Sequence, residues 1–116
     1  METSLTDQQL NQIVIGELGR LVKAQGAQFI VITFGQYLMP ENQHFKDVAG
    51  YVKSATEDSG GIYLDLDARF RERKLDQAAL VDGTIEHNGH WGAQGHKVVA
   101  EILQDFLLDQ GILAHQ

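Results

Sequence analysis

The sequence predicts an α/β protein with a short parallel sheet, and three features of the chain support this fold class. Residues 28–34 and 61–66 are apolar segments of strand length, and a stretch with helical periodicity separates them. A strand, a helix and a strand in that order are typical of a parallel crossover. Hydrophobic residues make up 43% of the chain and charged residues 22%, as in ordinary globular proteins. We therefore expect residues 1–116 to form a single domain with about two parallel strands and three to four helices.

The first predicted element is a helix from about residue 6 to residue 24. Thr6 and Gln9 can form a capping box at its start, and Gly26 can end it. Its apolar residues repeat at intervals of three and four, so they form one stripe along the helix. The residues of this stripe are Leu10, Ile13, Val14, Leu18, Leu21 and Val22.

The segment 28–34, QFIVITF, follows as the first strand. It shows no alternation of polar and apolar residues, which is typical of a central parallel strand buried on both faces. A sheet of two strands leaves each strand one open edge, and an apolar, uncharged strand of this kind is expected to recruit another strand. We therefore predict that another chain, or another part of a longer protein, completes the sheet.

A second helix from about residue 42 to residue 55 leads to the second strand at residues 61–66. The turn between them reads Asp58-Ser59-Gly60-Gly61. Because Ser59 precedes a strand, it is expected at the amino edge of the sheet, opposite the edge where α/β proteins build their sites. We interpret Ser59 as a turn residue and not as a nucleophile. The apolar face of the second helix comprises Phe45, Val48, Ala49, Val52 and Ala55.

The rest of the chain is predicted to be helical on either side of one long loop. A broken helical region covers residues 67–80, and a final helix runs from about residue 93 to residue 108 and ends at Gly111. The only basic cluster lies in the broken region, and we favour a solvated helix face over an anion or membrane-surface patch. This cluster contains Arg69, Arg71, Arg73 and Lys74. The predicted buried face of the final helix contains Val99, Ile102, Leu103, Phe106 and Leu107.

The loop before the final helix concentrates the side chains that could perform chemistry. Residues 82–100, DGTIEHNGHWGAQGHKVVA, contain three histidines, a glutamate, an asparagine and the only tryptophan. Titratable side chains gathered in a glycine-rich loop are typical of functional sites. The sequence therefore directs attention to this loop for function.

The segment from His90 to His96, HWGAQGH, followed by an apolar helix, resembles the C-terminal block of the SGNH (GDSL-type) hydrolases. That block reads Asp-Gly-His-Trp-Asn or Asp-x-x-His-x-Asn, then two residues, Gly-His or Gly-Tyr, and a helix. The resemblance implies that His90 is the catalytic base for a serine nucleophile. It also implies a flavodoxin-like, three-layer α/β/α fold with about five parallel strands, of which this chain matches only the C-terminal half.

The family pattern places an aspartate just before the base histidine to orient the imidazole. This chain has Asn88 at the shorter spacing and His87 at the longer one, and it has Gly92 where the block has asparagine. In a serine protease, asparagine in place of the triad aspartate favours the wrong tautomer and costs about 10⁴ in rate. The candidates for an orienting residue in this chain are Asn88, Glu86 and Asp82.

Three further residues are candidates for lining a pocket. The resemblance suggests Gln36 and Tyr37, which follow the first strand, and Trp91, which follows His90. Loop lengths favour a plain strand-to-helix connection for Gln36 and Tyr37, and packing against the helix is the simpler interpretation of Trp91. The resemblance implies that His96, at the Gly-His position, supports the loop.

The family's first three strands have no counterpart in this chain, and neither has its Gly-Asp-Ser nucleophile block. We therefore expect a fragment or short relative of an SGNH-type ester or acyl hydrolase, inactive alone because it lacks the serine. The expected partner is a second copy or a missing N-terminal half, and the substrate of a complete site is a small acyl ester. An alternative is a catalytically inactive oligomerisation module of the same fold.

A weaker alternative is a metal-binding loop that uses His87, His90 and His96, since imidazoles suit zinc or nickel. The spacing matches no specific ligand pattern, so we predict no cofactor. The net charge of −7 argues against nucleic acid, and the absence of cysteine excludes thiolate chemistry. No apolar run approaches the roughly 18 residues of a membrane span. The chain as written shows no signal peptide, so we expect a cytoplasmic location unless it is part of a longer protein.

Overall fold

The computed structural model describes residues 4–81 and 90–114, which form two compact units. The first unit is Met1–Asp65 and the second is Leu66–Gln116. The predicted α/β class is confirmed, because helices accompany a parallel two-stranded sheet in the described part of the chain. A single domain over residues 1–116 stays a prediction. Within residues 4–81 and 90–114, no helix is long and apolar enough to cross a membrane.

The first unit alternates helices and strands in the order that the sequence predicts. The strands pair in parallel, so the prediction of a parallel crossover is confirmed. Both strands are shorter than the predicted segments, because Gly35 turns the chain at a φ of +125° and a helix begins at Leu66. The elements are helix α1 (Asp7–Ala24), strand β1 (Ile30–Thr33), helix α2 (Gln43–Asp58) and strand β2 (Ile62–Asp65).

The helix termini of the first unit follow local sequence rules. Thr6 Oγ1 accepts a hydrogen bond from the Gln9 N–H at 3.1 Å, and Gln9 Oε1 accepts one from the Thr6 N–H at 2.9 Å. This confirms the predicted capping box of α1. Asn42 caps α2 with a single side-chain bond, since its Oδ1 accepts from the Phe45 N–H at 3.1 Å.

We expect Thr6→Ala to lower the free energy of unfolding by about 1 kcal/mol, because the first turn of α1 loses the acceptor for one of its unbonded N–H groups. Urea denaturation followed by circular dichroism measures this change. Ser4→Ala, an equally small change at an exposed position just before the cap, is the matched control and should have little effect. Equal losses in both variants would contradict a capping role for Thr6.

Helix α1 packs through a different face from its apolar stripe. Its buried residues are Ile15 and Gly19, and Ile15 joins Val52 and Ala55 of α2 in the core of this unit. Gly19 permits a close approach, because a Cβ there would lie 2.9 Å from the Ser59 side chain. The lack of a side chain at Gly19 therefore determines which face of α1 is buried. Val22, the last residue of the predicted stripe, is half-buried. The other residues of the predicted stripe are exposed: Leu10, Ile13, Val14, Leu18 and Leu21.

The prediction that the first strand is buried on both faces is wrong for β1. Phe29 and Val31 pack against the core formed with α1 and α2. On the opposite face of the strand, Ile32 is 37% exposed and Phe34, just after it, is 59% exposed. The physical reason is that α1 and α2 pack against the face that carries Phe29 and Val31, and leave the face of Ile32 exposed.

The second unit is helical in its described part, as predicted. Lys74, at a φ of +53°, breaks the region before the final helix, so the predicted interruption between residues 67 and 80 is confirmed. Its helices are α3 (Leu66–Arg73), α4 (Gln77–Leu80) and α5 (Ala93–Asp109). Its buried apolar residues are Leu66, Phe70, Leu80, Val81, Val98, Val99, Ile102 and Phe106.

The basic cluster of α3 is partly engaged by α5. Arg73 forms ion pairs with Glu101 and Asp105, each at 3.3 Å, and the Arg69 guanidinium lies 5.9 Å above the Phe106 ring. Partly exposed pairs of this kind contribute only about 0.2–1 kcal/mol each. These contacts give Arg69 and Arg73 a structural role within the second unit.

Candidate functional site

Four of the predicted site residues fall in the segment 82–89, which lies outside the described residues. They are Asp82, Glu86, His87 and Asn88. The orienting role of Asp82, Glu86 or Asn88 therefore stays a prediction, and so does the metal-binding role of His87. The site can be built from the residues that flank this segment on either side.

The two ends of the segment 82–90 are held together by backbone contacts. Val81 and Trp91 form an isolated antiparallel bridge, and the Gly92 N–H donates to the Leu80 carbonyl at 3.0 Å. Leu80 is 1% exposed and Val81 is 9% exposed, so the bridge sits on the core of the second unit. The chain that enters the loop and the chain that leaves it are therefore anchored at one point.

His90 is the first described residue after the segment, and it is exposed. It stands directly before Trp91, so its backbone is tied to the anchored bridge while its imidazole is open to solvent. A general base needs both properties, because it must hold a defined position and still reach the proton that it removes.

Trp91 is half-buried and packs on the start of α5. Its ring meets the His96 ring edge-on, with centroids 5.8 Å apart and planes at 89°. Gly95 completes this contact, since a Cβ on it would lie 3.0 Å from the Trp91 Cβ and 2.1 Å from the Leu80 carbonyl oxygen. His96 is exposed on the first turn of α5. The rings of Trp91 and His96 are therefore in contact, and Gly95 permits this approach. His90 directly precedes Trp91 in the sequence.

Gln36 and Tyr37 lie in the turn that follows β1 in the first unit, and both are half-buried. The Gln36 side-chain amide donates to the Phe45 carbonyl at 3.4 Å, which links this turn to the start of α2. Because His90, Trp91 and His96 belong to the second unit, a pocket shared by these residues with Gln36 and Tyr37 stays a prediction.

The described serines are Ser4, Ser54 and Ser59. Ser59 caps the end of α2 just before β2, and its hydroxyl donates to the Thr56 carbonyl at 2.8 Å. Ser4 and Ser54 are exposed, and Ser54 borders a shallow open groove between α1 and α2. The position of Ser59 before β2 agrees with its interpretation as a turn residue.

One polar pair of the sheet is absent from the sequence-based predictions. The hydroxyl groups of Thr33 on β1 and Tyr63 on β2 are hydrogen-bonded to each other in a half-buried position. The pair depends on the parallel register, which sets Tyr63 opposite Val31, two residues before Thr33 on the same face of β1. Thr33 and Tyr63 are 30 residues apart, so no local sequence pattern predicts their hydrogen bond, and only the strand register shows that they meet.

Metal binding finds no support among residues 4–81 and 90–114, where no three histidine or acidic side chains are grouped closely enough to hold an ion. His87, which the metal-binding alternative also needs, lies outside these ranges. Comparisons of the chain with protein-family models, with curated proteins and with solved structures give no match.

Proposed function

We propose that this chain supplies the base histidine, His90, of an SGNH-type ester or acyl hydrolase site whose serine comes from another polypeptide segment. The observation that carries the proposal is the exposed position of His90 next to an anchored bridge between Val81 and Trp91. The sequence similarity of HWGAQGH to the family's C-terminal block supports the same role.

The chemistry requires an imidazole because a serine hydroxyl is a weak nucleophile at neutral pH. His90 would take the proton of that hydroxyl as the serine oxygen attacks the acyl carbon, and would return it to the departing alcohol. Asn88, Glu86 or Asp82 would orient the imidazole. Water then repeats the cycle to release the acid, so the substrate class is a small acyl ester or a related acyl compound.

The test compares two histidine variants in the protein isolated with whatever it binds in its own cells. We expect His90→Ala to lower the rate of p-nitrophenyl acetate hydrolysis by that complex by roughly 10²–10⁴-fold, the usual range for loss of a general base. His44→Ala removes an exposed histidine from α2 and should leave the rate unchanged.

The control for folding is circular dichroism of both variants, which should match the unsubstituted chain because both side chains are exposed. Hydrolysis that survives His90→Ala at the original rate would contradict the proposed role. Hydrolysis lost equally in His90→Ala and His44→Ala would also contradict it, because the effect would then not be specific to the loop.

A second candidate function is a catalytically inactive assembly module. The observation that favours it is the exposure of five aliphatic residues along α1, which a protein alone in water rarely leaves uncovered as one stripe. A complex that assembles normally but hydrolyses no acyl ester, with or without His90, would favour this function over the first.

A further inference from the structure

The exposed side of α1 carries an apolar surface. Its residues are each between 45% and 56% exposed, although their spacing of three and four aligns them on one side of the helix. Glu17 is aligned with them, lies one turn from Ile13 and Leu21, and accepts two hydrogen bonds from Arg20. These bonds lower the pKa of the Glu17 carboxyl. Asp7 lies one turn before Leu10, at the amino end of this surface. We call this surface the α1 stripe: Leu10, Ile13, Val14, Leu18 and Leu21.

The second feature is the open edge of β1. The Ile62 N–H donates to the Phe29 carbonyl at 2.8 Å, which shows which residues of β1 face β2. Because backbone groups of a parallel strand point to alternate sides, those of Ile30 and Ile32 face the other edge. Within the described residues, no strand pairs with that edge. An apolar edge strand of this kind is a template for a further strand.

The α1 stripe and the open edge belong to the same unit. Gly19 of α1 lies against Ser59, just before β2, and against Phe29, which leads into β1. The end of α1 reaches the amino end of the sheet, because the Lys23 ammonium lies beside Gly60, just before β2. The carboxyl end of α1 therefore lies at the amino end of the sheet, where β1 begins.

We propose that a second copy of this chain covers both features through a single two-fold axis, with β1 antiparallel to β1 and α1 antiparallel to α1. One two-fold axis can relate both contacts, because the rotation that reverses the direction of β1 also reverses the direction of α1 in the same unit. The resulting sheet has four strands in the order β2-β1-β1-β2. This assembly goes beyond the acyl-transfer role and does not depend on His90.

The size of the surface suits a second copy. The exposed parts of the stripe amount to roughly 500 Å² if a fully exposed large residue presents about 200 Å², and the paired edge of β1 adds to this area. A standard specific interface buries about 800 Å² on each partner. The α1 stripe spans about 16 Å, close to the roughly 13 Å of a four-residue strand, so the helix and strand contacts are matched in length.

Register follows from the alternation of the strand. Residues directly opposite each other in an antiparallel pair have their side chains on the same face of the sheet. Neighbouring residues of a strand have theirs on opposite faces, so the two-fold axis must pass beside one residue and its counterpart in the second copy. Pairing about Ile32 sets this residue opposite its counterpart in the second copy. It uses the backbone groups of Ile30 and Ile32 that face the open edge.

Sedimentation velocity of the full chain over a concentration series tests the assembly. We expect a dimer of twice the 12.9 kDa chain mass. Val14→Glu, at the middle of the α1 stripe, should raise the dissociation constant about tenfold or more, because two carboxylates would meet near the axis. Gln12→Glu adds the same charge at an exposed site on another face of α1 and should leave the dimer intact.

A disulfide test does not depend on the folding of a charged variant. The chain contains no cysteine, so Ile32→Cys introduces a single thiol that should form an intermolecular disulfide under mild oxidation. Lys53→Cys, exposed on α2, should remain uncrosslinked at the same concentration. A monomer at every concentration, a dimer unaffected by Val14→Glu, or crosslinking no faster at Ile32 than at Lys53 would each overturn the proposal.

Discussion

Phe70→Ala is expected to lower the free energy of unfolding by about 3–5 kcal/mol, the largest loss of stability we predict. Phe70 is only 1% exposed and is among the largest fully buried side chains of the chain. It lies on α3, which packs against α5 in the second unit. Removal of its ring would leave a cavity that the short helix α3 has little freedom to close.

Urea denaturation at equilibrium measures this loss from the shift in midpoint at a constant slope. Leu113→Ala is the matched control, since Leu113 belongs to the same unit, is 44% exposed and loses a comparable apolar group. The control should cost less than about 1 kcal/mol. A small loss in Phe70→Ala, or equal losses in the two variants, would contradict the described core of the second unit.

Gly95→Ala is expected to cost about 3 kcal/mol, because the added methyl group has no room. It would lie 2.1 Å from the Leu80 carbonyl oxygen and 3.0 Å from the Trp91 Cβ. The oxygen belongs to the backbone and cannot rotate away, so α5 must shift from α4. That shift would also disturb Val81 and Trp91, and hydrolysis that depends on His90 should fall together with stability.

Gly50→Ala provides the comparison for this effect. Gly50 lies within α2, is exposed, and has nothing within 4 Å of an added Cβ. There the same substitution should raise stability by about 0.5–1 kcal/mol, because alanine favours the helix more than glycine does. Thermal unfolding of both variants shows whether each substitution raises or lowers the stability of the protein. A Gly95→Ala protein as stable as the original chain would show that α4 and α5 do not approach as closely as described.

Local structure was predictable where a few neighbouring residues determine it. The capping box of Thr6 and Gln9 and the left-handed glycines Gly26 and Gly111 depend only on short-range bonds and backbone freedom, and all appear as expected. The break between α3 and α4 was predicted as well. Its cause, the positive φ of Lys74, was not, because lysine carries no strong turn signal.

Burial was harder to predict because it depends on which elements meet. The apolar pattern of α1 indicates a stripe but not what covers it, and the helix packs through Ile15 and Gly19 instead. In α5 the buried face shifts toward Gly95 and Val98, while Leu103 and Leu107 are only half-buried. In both helices the buried face includes a glycine that allows another element to approach closely. Such tertiary contacts cannot be predicted from the periodicity of apolar residues.

The candidate site was predictable as a segment but not as a geometry. The density of histidine and glycine directs attention to His90, Trp91 and His96, and the structure sets the rings of the latter two against each other. The bridge between Val81 and Trp91 joins residues on either side of the loop, and neither their residue types nor their spacing predicts it. The glycine at position 95, buried at the start of a helix, was the available signal for a close contact there.

The most direct test of the hydrolase proposal is to locate the serine that a fluorophosphonate probe labels in the complex isolated from the chain's own cells. Mass spectrometry of the labelled peptides should find the adduct on a serine outside this chain, and His90→Ala should abolish it. An adduct on Ser4, Ser54 or Ser59, or labelling that persists without His90, would contradict the claim that this chain supplies the base for a serine held elsewhere.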